Sequence, residues 1–306
     1  MISCGLSGRF DLACVNAKTG EVRERRSFDN LILDIGLENF WSKSTSMQPA
    51  LGVGTTPPAV TDTGLEQLVY AAQSISPSSS AVAPTSPDWV AKWIQTWRIP
   101  ANAAVGTFTE IGLCNWGGVP PYWCRALIVD EQGNPSSISV LADEYLDVTY
   151  TLNLHSDLND RTFTFEINGT TYTCTARRAL IANTRISSIN GSIGTVYTRS
   201  GSGGGGAWAT QELGPITSKP SGTTVNSVLE DGITPQPYES NSWTGKSLLR
   251  WGLNKMNVAG GIGSICIDEG NPRLPTQFSF SPKIPKDATN ELSLMFACRI
   301  HRYGEP

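Results

Sequence analysis

The sequence predicts a mostly-β protein, an antiparallel β-sandwich of jelly-roll type with long loops and one or two short helices. Three observations predict it. Only 16% of the 306 residues are charged while 30 are glycine and 19 proline, a mixture that favours strands joined by turns over long amphipathic helices. Leu146 to Leu154 alternates apolar and polar residues with period two, as a strand with one buried face must. Asn168-Gly169 stands between two further alternating runs, and that dipeptide supplies the positive φ angles a tight hairpin turn needs.

Taken in order, Phe10 to Val15 and the residues after Lys18-Thr19-Gly20 read as two strands of a hairpin. Asn30 to Trp41 has apolar spacing closer to a helical turn, with Asp34 as the N-cap. Leu51 to Pro58 is a glycine-and-proline loop, and Leu65, Leu68, Val69 and Tyr70 fit a strand and a helix equally. Ser74 to Pro87 carries no charge and little apolar bulk, so it reads as an exposed loop or linker.

The clearest alternation follows. Trp93, Gln95, Trp97 and Ile99 share one side of a candidate strand, opposite Ile94, Thr96 and Arg98. Phe108 to Cys114 and Arg125 to Asp130 continue the pattern, with a turn from Asp130 to Pro135. The second half repeats the style in Arg161 to Ile167, Thr170 to Thr175, Gln277 to Phe280 and Leu292 to His301. Ser202 to Gly206 has no side chain to pack and reads as a flexible loop. Two regions result, residues 1–158 and 159–306, the second either separate or packed as one unit with the first.

Composition also limits function. A net charge of −4 argues against a nucleic-acid surface, and the densest basic run, Arg23-Glu24-Arg25-Arg26, is diluted by its own glutamate and reads as a solvated strand end. No apolar stretch approaches the roughly 18 residues that a bilayer span needs, and Met1 to Gly5 does not open a secretory leader, so the expectation is folding in a cytosol without membrane insertion. The seven cysteines have no C-x-x-C spacing and spell out neither a zinc site nor a disulfide framework. They read as small buried hydrophobes, with Cys4 and Cys14, or Cys114 and Cys124, as pairs that could face each other across a hairpin.

Reactive constellations are equally sparse. Gly201 to Gly206 meets the G-x-G-x-x-G pattern only as a polyglycine run and precedes no helix that could hold a pyrophosphate. His155 and His301 each end an alternating strand with no ligand or triad partner nearby in sequence. The densest acidic groups are Asp143, Glu144 and Asp147, then Asp268-Glu269, and acids just before a strand commonly solvate a turn. Asn168-Gly169-Thr170 and Asn190-Gly191-Ser192 match a glycosylation sequon but read as turns. The expectation is a non-enzyme with no cofactor and no metal.

One aromatic loop stands apart. Trp116, Tyr122 and Trp123 lie in a turn-rich stretch with Gly117-Gly118 and Pro120-Pro121, and their rings could join the core, pack on a partner or stack on a sugar. They are the candidate contact residues for a partner or a glycan.

A set of stretches in fixed order carries a resemblance. They are Asn30 to Leu37, Gly52-Val53-Gly54 with Pro57 or Pro58, Thr61 to Leu65, Phe108 to Gly112, Arg125 to Asp130 with Gly133-Asn134-Pro135, and Val140 to Tyr150. Together they resemble bacteriophage tail or tail-fibre-associated structural proteins over about residues 25 to 155. That resemblance implies a virion component assembled in the host cytoplasm, present as a homo-oligomer, a trimer or hexamer, around the tail axis beside other tail subunits. It supplies no catalytic residues, and residues 159–306 match nothing in it. Two rival readings are a receptor-binding tip that uses the Trp116 to Trp123 loop on host glycan, and a polysaccharide-degrading tail enzyme that uses Asp143 and Glu144.

Overall fold

The computed structural model describes residues 2–42, 47–73, 75–83, 90–115, 118–179, 207–217, 225–227, 233–267 and 276–305. Among these the chain is mostly β, with a single helix. The glycine-rich run 201–206, the second sequon, Asp268-Glu269 and Trp116 lie outside the described residues.

The first strand organises the larger sheet. β1 (Ile2–Asn16) turns through Gly20, at φ 73°, into β2 (Val22–Ile32), as the hairpin reading requires. Its other edge pairs from Cys4 to its end with β11 (Glu144–Ser156), Cys4 opposite Ser156 and Asn16 opposite Glu144. Beyond β11 comes β6 (Val90–Ile99), whose inner face buries Trp93, Gln95, Trp97 and Ile99, the four residues that the alternation grouped. The outermost strand here is β5 (Ser78–Val82), within the stretch expected to be a loop. All five of its residues are exposed, so backbone pairing with β6, rather than burial, makes it a strand.

The second half of the chain joins this sheet. β20 (Leu292–Arg302) runs parallel to Ile2–Leu6 of β1, an exception to the antiparallel pairing, and its other edge takes β17 (Thr244–Trp251). The sheet curls into a half-barrel. A second sheet contains β12 (Arg161–Ile167), β13 (Thr170–Arg178), β19 (Thr276–Ile284) and β18 (Ile262–Ile267), in that order. The β12–β13 turn has Asn168 and Gly169 at φ 48° and 77°, the left-handed values that its sequence foretold. The two sheets meet across one core, where Phe278 of β19 packs edge-on to Phe296 of β20 at 4.7 Å. Residues from both halves belong to that core, among them Phe10, Trp97, Phe108 and Trp251.

The helix α1 (Asp34–Ser42) begins later than the sequence spacing suggested, because Asn30 to Ile32 extend β2. Asp34 is not its N-cap. The cap carbonyl is that of Leu33, which accepts from Gly36 N and Leu37 N, while the Asp34 carboxylate pairs with Arg302 near the end of the chain. Glu38 on the same helix accepts from Tyr238 Oη at 2.7 Å and Asn241 N at 2.8 Å, a second tie between distant segments.

All seven cysteines are free and buried. Cys4 and Cys14 lie ten residues apart on one strand, so they cannot face each other across the hairpin. Cys114 and Cys124 sit on paired strands one step out of register and pack into different apolar clusters. The hairpin pairings read from the sequence are therefore corrected.

Helix α1 lies so close to the strand Tyr122–Leu127 that a Cβ on Gly36 would come within 2.1 Å of the Trp123 carbonyl oxygen. Backbone cannot step aside as a flexible side chain can. Gly36→Ala is expected to lower stability by at least about 1–3 kcal/mol, as overpacked cores do; denaturant unfolding of the two proteins measures it.

Candidate functional site

The stretches that carried the resemblance are far apart in sequence, and several converge at one place. β3 (Gln48–Gly52), β8 (Glu110–Cys114) and β9 (Tyr122–Leu127) form one end of the larger sheet, edged by β4 (Leu68–Ala71). The loop from Val53 to Gln67 joins β3 to β4 and folds back over Glu110. Since the side chain of Glu110 is 0% exposed, its charge has to be met inside the protein.

Four donors meet it. Oε1 accepts from Gly54 N at 3.0 Å and Gln67 N at 2.8 Å, and Oε2 accepts from Glu66 N at 3.1 Å and Arg125 Nε at 2.8 Å. Arg125, buried on β9, spends its remaining nitrogens on the same loop: Nη1 donates to Asp62 Oδ2 at 2.7 Å and Nη2 to the Thr56 carbonyl at 3.0 Å. Glu66 closes the circuit by accepting from Thr55 N, Thr56 N and Thr56 Oγ1, each at 2.8 Å. Those bonds, the Thr56 backbone bond foremost, hold the Glu66 carboxyl below its ordinary range. A planar guanidinium between carboxylates and a loop carbonyl fixes direction as well as distance.

The local sequence follows from this geometry. A Cβ at Gly52 or at Gly54 would stand 2.5 Å from Glu110 Oε1, so both positions must be glycine for the carboxylate to reach the loop backbone. Thr109 completes the attachment, with its N donating to the Gly52 carbonyl at 3.0 Å and its Oγ1 to the Gly54 carbonyl at 2.7 Å. Glycine-x-glycine, Thr-Glu and Arg125 are thus parts of one buried charge knot. The sequence displayed each stretch but not the common target, because Gly54, Glu110 and Arg125 meet only through sheet pairing.

The reading of Tyr122 and Trp123 as contact residues on a loop is corrected, while Trp116 lies outside the described residues. Tyr122 and Trp123 are 2% and 5% exposed on β9, which begins directly after Pro121. Tyr122 Oη donates to the Gly118 carbonyl at 3.2 Å, and burial pushes its phenol up. Trp123 meets Phe40 of the helix edge-on at 6.4 Å. Neither ring has a face to offer a partner or a glycan. The flanking prolines and glycines suggested a loop, yet the strand starts immediately beyond them.

The acidic candidates are likewise occupied. Glu144 is buried and bound bidentately by Arg23, Nε to Oε1 at 2.6 Å and Nη2 to Oε2 at 2.9 Å, with Leu141 N at 2.9 Å. Arg23 holds the Glu144 carboxyl below its ordinary range. Asp143 accepts from Asn16 Nδ2 at 3.0 Å, and Asp147 accepts from Arg98 at 2.7 and 2.6 Å. His155 contacts Ser7 Oγ at 2.9 Å and stacks on Tyr303, and burial draws its pKa down. Among the described residues no three His, Cys, Asp or Glu side chains gather to hold a metal ion, and no helix is long and apolar enough to cross a membrane.

Compared with known proteins, the chain matches no family model, no curated protein and no solved structure.

Two outcomes are expected of the charged clusters. Glu110→Gln leaves Arg125 buried with a partner short and should cost about 3–5 kcal/mol in urea unfolding, as broken buried pairs do. Adding Arg125→Met should cost less than the sum of the single changes, because the two side chains share one network. For Glu144 the folded pKa is depressed, so its contribution is present above the ordinary carboxylate value near 4.5 and is lost as pH falls through the lower folded value. Stability measured across that acid range should fall less steeply in Glu144→Gln than in the unaltered protein.

Proposed function

We propose that this chain is a structural component of a bacteriophage virion, a tail, baseplate or tail-fibre protein that works by subunit assembly and attachment. The observation that carries the reading is the charge knot. The stretches that resemble tail proteins supply Gly52, Gly54, Asp62, Glu110 and Arg125, and these act together to pin a long loop onto a sheet. Such a device holds a surface rigid. Every carboxylate oxygen of Glu110 and Glu66 is engaged by backbone or side-chain donors, which suits a part that positions a loop better than one that moves protons.

The surroundings of the knot favour assembly over catalysis. The strand that follows the pinned loop, β4, ends its sheet among the described residues and exposes Leu68 and Val69, with Val119 exposed in the neighbouring turn. Gly118 beside that turn lies against Ala71 and Leu68. A rigid sheet edge with apolar tips is what a neighbouring subunit can pack on. The glycan-tip reading loses Tyr122 and Trp123 to burial, with Trp116 outside the described residues, and the enzyme reading finds Asp143 and Glu144 held in structural contacts.

Peptide mass spectrometry of purified phage particles, with antibody labelling in the electron microscope, tests the assignment. The expected result is several copies per particle, with label on the tail. Particles that lack the chain altogether would overturn it.

A further inference from the structure

The second sheet ends in β12, and among the described residues this strand pairs on one side only, with β13. Edge strands in monomeric proteins are commonly protected by inward charges, prolines or bulges. β12 instead alternates Phe163, Phe165 and Ile167, all half-buried, with exposed Thr162, Thr164 and Glu166. The three apolar side chains face a groove of about 320 Å³ that opens between the two sheets and is lined further by Phe280 of β19 and by Leu294 and Phe296 of β20. Phe165 is fixed there, stacked on Tyr172 at 5.6 Å and edge-on to Phe280 at 6.0 Å.

A strand added to this edge would continue the sheet, and every second side chain of it would fall on the groove side. The occupant must therefore present large apolar residues at period two with polar residues between. The exposed edge strand β5, Ser-Ser-Ser-Ala-Val, does not have that pattern, whereas β12 itself does. We propose that β12 pairs antiparallel with β12 of a second copy of this chain, about a twofold axis at Thr164. The inference rests on the multi-copy structural role proposed above.

The register follows from the strand. Antiparallel pairing about a twofold keeps all seven residues of each copy paired only if Thr164 faces itself. Phe163 then lies opposite Phe165 of the second copy on the groove side, an aromatic cross-strand pair made twice. On the solvent side Thr162 lies opposite Glu166 of the second copy, a hydroxyl beside a carboxylate, and no like charges are opposed. Arg161 falls on the same face as Phe163, opposite Ile167 of the second copy at either end of the seam, and its charge is met within its own chain by Asp157 at 2.6 Å. The two half-open grooves become one covered apolar layer.

Thr164 is exposed, so changing it tests the pairing without disturbing the core. Sedimentation of the full chain should show a dimer, or a larger even-numbered oligomer built from it. Thr164→Lys and Thr164→Glu should each weaken pairing about fivefold by placing like charges face to face, and an equimolar mixture should restore it. Thr164→Cys should give a covalent dimer under mild oxidation, because opposed residues lie about 5 Å apart, within the Cα range of a disulfide. A wild-type monomer at high concentration, a trimer, or an oligomer indifferent to both charged variants would overturn the proposal. If Thr164→Lys pairs more weakly than wild type and the chain is found in particles, the pairing stands and so does the tail assignment; if wild type is monomeric and still found in particles, the pairing alone falls.

Discussion

The fold depends on the double-edged use of its first strand. Along one side β1 pairs with β11 from Cys4 to Asn16, and along the other it is shared between β2 and, at its beginning, β20. Each buried backbone N–H and C=O on those edges must find a partner, and the stretch of β1 that β2 does not reach is paired by β20. The parallel seam between β1 and β20 is the consequence. It brings Arg302 to the start of the helix, where it binds Asp34 and the Ile32 carbonyl, and Arg178 of β13 reaches across to the Ser3 carbonyl at 3.2 Å. The two sheets are held at the same seam that joins the two ends of the chain.

Within this frame, charge is used for position. Glu110 with Arg125 and Glu144 with Arg23 are each a buried carboxylate answered by a guanidinium and by backbone N–H groups. Such pairs contribute little net stability compared with apolar replacements of the same shape, but they are costly to break and admit few alternative geometries. The 52–67 loop, rich in proline, threonine and glycine, has little apolar area of its own to bury and is fixed instead by these directed bonds. This explains how a long connection can present one rigid surface next to an open sheet edge.

Much of the β architecture was legible locally. Trp93, Gln95, Trp97 and Ile99 share a buried face as their spacing indicated, the Leu146 to Leu154 alternation is a strand with one face in the core, and Asn168-Gly169 makes its hairpin. These features depend on period two and on left-handed turn residues, which are properties of neighbours in the chain. The misreadings share a cause. β5 is a strand only because β6 lies beside it, Tyr122 and Trp123 are buried only because the helix and β8 cover them, and Asp34 serves Arg302 rather than its own helix end.

By itself, then, the sequence determined which segments are extended, which face of each is apolar and where the tight turns fall, since steric limits on φ and ψ and side-chain alternation act over a few residues. Only the tertiary structure decided which strands are neighbours, and with that the meeting of Gly54, Glu110 and Arg125, the parallel pairing of β20 with β1, and the edge at β12 that is open among the described residues. Pairing between distant strands is selected by the burial and hydrogen bonding of the whole sheet at once, and no local pattern encodes it.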